Sequence, residues 1–190
     1  MKDRFYITAW FAGLGAFSGI CCNFTSIAFP GTGLFTTGLF FGIVIAVALH
    51  RTVQPLGPLR VIGILLAMEA SFWFAFITAL LSSRFGVSNG LTGSFTSGAM
   101  AGSVGSLVAA LTLYGIVRNL RSIGTVVSIT FAGSVLGGIS VLISVYIADH
   151  TTAGPPWNKM ILLPLWQSGV AATIPIFAKK PAEEAGGSTA

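Results

Sequence analysis

Six apolar runs, separated by short polar or proline-containing breaks, account for most of this 190-residue chain. The runs cover residues 5–29, 32–49, 60–82, 91–117, 123–148 and 160–178. Each is close to the roughly 20 residues that a helix needs to cross a hydrocarbon layer. The breaks carry turn chemistry: Pro30-Gly31, Pro55 with Pro58, Asn89-Gly90, and Pro155-Pro156-Trp157. The pattern predicts an all-α integral membrane protein, a compact bundle of six transmembrane helices forming one domain over residues 1–180. The polar, glycine-rich tail over residues 181–190 is expected to be disordered. A positive start before an apolar run also opens signal peptides, but a first run of about 25 residues followed by further spans predicts a retained helix.

Composition sharpens this picture. The chain is 54% hydrophobic and only 8% charged, against roughly 25% charged in an average soluble domain, so it lacks the polar residues to cover a water-soluble surface. The net charge of +5 is not a nucleic-acid footprint, because the Lys and Arg residues stand singly or in pairs and form no basic face. They report topology instead. A six-span chain puts Lys2, Arg4, Arg51, Arg60, Arg118, Arg121, Lys179 and Lys180 on the terminal side and only Arg84 and Lys159 on the other. That asymmetry predicts cytoplasmic N and C termini in a multi-pass protein of the cell membrane, a cell inner membrane in a two-membrane envelope. Tyr6, Trp10 and Tyr114 fall near the inner boundary, and Tyr146 and Trp157 near the outer one, as interface anchors do.

Packing signals are plentiful. Gly15 and Gly19, Gly38 and Gly42, Gly98 and Gly102, and Gly133 and Gly137 have the small-xxx-small spacing that lets membrane helices approach closely. Such faces serve either the bundle itself or a membrane-protein partner or second copy. Spans three and five also open alike, Arg60-Val-Ile-Gly63 and Arg121-Ser-Ile-Gly124, which would align Glu69 with Thr130 in a duplicated hairpin of the kind transporters use. Adjacent Cys21 and Cys22 suit neither an ordinary disulfide nor a zinc site and read as small buried hydrophobes.

Glu69 is the one acidic residue inside a span, and an ionisable group at membrane depth is a functional-site hypothesis by default. Counted from Arg60 it lies roughly 13 Å into a layer of about 30 Å. Thr130, Ser106 and Gln167 fall at comparable depths by the same count, so Glu69, Ser106, Thr130 and Gln167 form one polar layer if their helices face a common axis. Two roles fit the carboxyl group: a hydrogen-bonding acid that fixes helix register, or a titrating group that binds a cation or relays protons. Phe72, Trp73 and Phe76 share its helix face, and Trp73 suits either packing or support of a cation. In span six, Pro164 and Pro175 flank Trp166-Gln167 and predict a broken or kinked helix beside a solute path.

The segment Phe95-Thr96-Ser97-Gly98-Ala99-Met100-Ala101-Gly102 resembles the Gly-x-Ser-Gly stretch of rhomboid intramembrane proteases, which would make Ser97 the nucleophile. Phe95 stands where that family has its first glycine, and His50 and His150 lie at span ends, leaving no general base inside the bundle. The size and topology, with Ala12 and Ala16 spaced small-xxx-small in span one, resemble the small substrate-binding membrane subunits of vitamin importers, which implies a transport role. There is no phosphate loop, metal-ligand cluster or carboxylate pair, and no cofactor or metal is expected. The leading expectation is a small permease or channel, or the membrane substrate-binding subunit of a transporter, using Glu69, Trp73, Ser106, Thr130 and Gln167. The alternatives are a non-catalytic subunit, assembly factor or scaffold, and a membrane-embedded enzyme acting on a lipid or isoprenoid with Glu69 as proton donor.

Overall fold

The structure, a computed structural model, describes residues 2–29, 33–84, 90–150 and 162–177. The described residues are all helical, with no strand. Six α-helices run in order, α1 (Lys2–Ala28), α2 (Gly33–Thr52), α3 (Pro58–Arg84), α4 (Gly90–Ile116), α5 (Ile123–His150) and α6 (Leu162–Phe177), with a 3₁₀ turn at Arg118–Leu120 between α4 and α5. Four of them, α1, α3, α4 and α5, are long and apolar enough to cross a membrane, while α2 and α6 are shorter apolar helices. The turn at Pro30-Gly31, the loop with Asn89, and the tail over residues 181–190 lie outside the described residues.

Proline placement explains two boundaries. Pro58 opens α3, two residues earlier than the apolar run suggests, because the first helical position needs no N–H. Of the two expectations for the sixth helix, a break and a kink, the break is corrected: α6 is continuous from Leu162 to Phe177 with Pro175 inside it. Pro164 sits in its first turn, where the N–H groups have no partner inside the helix. Pro175 sits in its last turn and withholds a donor from a single carbonyl, that of Ala171.

Each helix packs on its neighbours in the chain, and α1 closes the ring against α6. The approach points run antiparallel throughout: Gly38 meets Glu69 and Gly42 meets Leu65, Gly98 meets Gly137 and Gly102 meets Gly133, and Gly15 meets Gln167 while Gly19 meets Pro164. A Cβ at Gly102 would collide with the Gly133 carbonyl, and one at Gly38 with the Glu69 backbone. All four glycine pairs are therefore used inside the bundle, at the α1–α6, α2–α3 and α4–α5 seams. The α3–α4 seam is fastened instead by the Ser71 hydroxyl, which donates to the Gly105 carbonyl at 2.6 Å. Large apolar side chains such as Phe17, Leu66, Phe74, Val127 and Phe131 point outward and are exposed. Greasy outside and small inside is the arrangement that a lipid solvent selects.

The alternation of helix directions gathers Arg4, Arg51, Arg60, Arg118 and Arg121 at one end, all exposed, and leaves Arg84 at the other. The basic end is closed by its own loops. Val53, Leu56, Val117 and Leu120 are buried there, the Asn119 amide donates to the Val53 carbonyl at 3.1 Å, and Leu56 N–H donates to His50 Nδ1 at 3.0 Å.

Candidate functional site

Glu69 sits where α3 crosses Gly38 of α2, and its two oxygens are both engaged. Oε2 accepts the Leu39 N–H at 3.0 Å, Oε1 accepts the Trp73 indole N–H at 2.9 Å, and the Gly38 N–H adds a further bond. The spacing of four residues between Glu69 and Trp73 is what lets the indole reach back along the same helix face. Gly38 and Leu39 are the sixth and seventh residues of α2, so the carboxyl group meets N–H groups inside the helix rather than the free donors of its first turn. The missing Cβ at Gly38 brings the two backbones together, and the carboxyl group then ties them. This arrangement fixes register.

The remaining predicted residues do not join Glu69. Ser106 is fully buried against Gly133 at the α4–α5 seam, and Thr130 lies one turn before Gly133 on α5; neither hydroxyl has a protein partner. Gln167 is at the α1–α6 seam, its backbone against Gly15 and its side chain hydrogen-bonded with the Cys22 thiol. Ser18 and Thr37 meet the same thiol, which lies 3.5 Å from the Thr37 carbonyl, while Oε1 of Gln167 has no protein partner. Three separate polar sites stand where depth alone suggested one layer. Counting residues gives a side chain its height in the bundle, but which seam it faces depends on rotation about the helix axis.

Between α3, α4, α5 and α6, toward the end opposite the five arginines, lies a half-open cavity of about 260 Å³. Phe72 and Phe76, whose rings stack with centroids 6.3 Å apart, form one side with Trp166. Ala75, Ala101 and Gly102 open the space by being small. The polar lining side chains are Ser97, Ser140 and the Trp166 indole, with no titratable group among them. Ser140 is fully buried, and neither its hydroxyl nor the Trp166 N–H has a partner among the described residues. A mostly apolar recess with a few hydrogen-bonding groups is the usual form of a small-molecule site.

Ser97 is not set up as a nucleophile. Its hydroxyl pairs with that of Ser82, while His50 is engaged by Leu56 and His150 stacks on Tyr146 with ring centroids 4.2 Å apart. Phe95, in the place of a rhomboid glycine, lays its ring over Gly138. No protein-family model, curated protein or solved structure matches this chain. Sequence reasoning named Phe72 and Phe76 but passed over Ser140 and the small wall. The signal for that wall was present in Ala75 and Ala79, one turn apart on the face that also carries Phe72 and Phe76.

Proposed function

We propose that this membrane-embedded protein spans the bilayer six times with its arginine-rich end in the cytoplasm. We further propose that it binds an uncharged, largely apolar small molecule in the α3–α6 cavity as a permease or as the substrate-binding membrane subunit of a transporter. Five exposed arginines at one end against one at the other support the orientation. The cavity itself carries the functional reading. An engineered cavity of about 150 Å³ accepts benzene, so about 260 Å³ suits roughly a two-ring molecule or a short branched chain.

The other readings draw less support from the geometry. A scaffold role leaned on glycine faces, and those are occupied within the bundle. An enzyme using Glu69 as proton donor needs that group at the cavity, and it is not among the lining residues. Glu69 instead acts as a positioning residue for the α2–α3 seam.

Uncharged solutes graded in size from benzyl alcohol to naphthol test the reading. Wild-type protein in detergent should gain thermal stability saturably with one size class, and Ala101→Phe, which fills the cavity, should lose that response. Counterflow of the same solute into proteoliposomes should saturate for wild type and vanish in the variant. Identical protection of both proteins by every solute would overturn the assignment.

A further inference from the structure

A second recess lies on the outside of the bundle, between α2 and α3 at the arginine-rich end, with a volume of about 330 Å³. Its walls are Ile43, Ala46 and Val47 from α2 and Val61 and Leu65 from α3, and its rim is His50 and Arg51. Ile43, Ala46, Val47 and His50 fall at the positions that share one helix face, so an apolar stripe one side chain wide ends in a polar head. Ile43 and Val47 are close to half exposed. Gly42 lets Leu65 draw against α2 and sets the depth of the trough.

The rim is a donor site. Leu56 N–H donates to His50 Nδ1 at 3.0 Å, so the neutral ring carries its proton on Nε2 and offers it as a donor. Arg51 is exposed and makes no hydrogen bond or ion pair among the described residues. A guanidinium presents a planar fork that matches a phosphate. In a membrane protein, an apolar groove running from the hydrocarbon to a cationic head at the boundary has the form of a diacyl lipid with an anionic headgroup.

We propose that the α2–α3 groove is a specific site for an anionic phospholipid of the cytoplasmic leaflet. The phosphate rests on Arg51 and His50 Nε2–H, and an acyl chain lies along Ile43, Val47 and Leu65. The inference rests on the membrane reading and is independent of what the α3–α6 cavity holds. Because Leu65 is one turn from Glu69, a bound lipid braces the same seam that the carboxyl group ties.

Native mass spectrometry of the full chain, released from mixed micelles with equal phosphatidylglycerol and phosphatidylcholine, is the test. One phosphatidylglycerol should be retained in preference by roughly three- to fivefold: both lipids bring a phosphate to Arg51, but phosphatidylcholine also brings a choline cation that the exposed guanidinium opposes. Arg51→Gln should abolish the preference, and the double variant R118Q/R121Q, which removes the neighbouring charges, should keep it. Val47→Trp fills the groove with every charge in place and should also lose the lipid. Equal retention of the two lipids by wild type would overturn the proposal, as would loss of the preference in R118Q/R121Q with Arg51→Gln unaffected. Inorganic phosphate should neither displace the lipid nor raise the melting temperature; if it stabilises the protein as well as phosphatidylglycerol does, the site takes a free anion and the lipid assignment fails.

Discussion

The two ends of the bundle are built on opposite principles. At the arginine-rich end, two interhelix loops fold inward and bury Val53, Leu56, Val117 and Leu120; Asn119 links one loop to the other, and His50 holds the first loop to the end of α2. Toward the other end, Phe72, Phe76 and Trp166 face alanines and glycines across a cavity of about 260 Å³. One end spends its apolar side chains on contact, and the other leaves them facing space. The arginine-rich end is sealed by packing and by a hydrogen bond between its loops, so opening it takes a change in the loops as well as in the helices.

The contrast can be broken at several points. Leu120→Asp, which puts a charge into the sealed end, should cost about 3 kcal/mol or more and appear as a large fall in melting temperature in detergent. A melting temperature near that of wild type would mean that the loops do not close this end. Glu69→Gln lies between the two ends and should cost about 2 kcal/mol. Both Glu69 oxygens accept N–H groups, and the amide turns one acceptor into a donor facing Leu39 or Trp73. Full stability together with altered transport would instead make Glu69 part of the solute path. Asn119→Ala removes one bond between loops and should cost about 1 kcal/mol, read as faster amide exchange in residues 53–57 and little change elsewhere. Ala101→Phe at the open end should leave stability within about 1 kcal/mol of wild type, because it fills existing space, and its effect should appear only in ligand binding.

Much of the architecture was legible in the residues. The apolar runs gave the six helices to within about three residues at each end, since Pro58, Gly90 and the Arg118–Arg121 break are local signals that act at their own positions. The glycine pairs marked real seams, because a missing Cβ matters only where another backbone arrives. Glu69 stood out as the one acidic residue inside an apolar run, and its partner Trp73 lies at the spacing that a helix dictates. Its other partners, Leu39 and Gly38, were not foreseeable. They depend on which helix α3 crosses, and a backbone N–H has no signature in a side-chain alphabet. The expected polar layer failed for a related reason: Ser106, Thr130 and Gln167 share an approximate depth with Glu69 but turn toward different neighbours. The cavity was hardest to read, because it is made by residues too small to fill a space, and a string of alanines and glycines looks the same whether helices close over it or not.

The ring closes between the first helix and the last. During synthesis, α1 reaches the bilayer with Gly15 and Gly19 bare, and the residues that cover them, Gln167 and Pro164, are made nearly 150 residues later. The intervening helices can pair as antiparallel neighbours as they emerge, but that seam must wait until α6 has been made. A nascent chain cut short before α6 therefore leaves the glycine face of α1 uncovered.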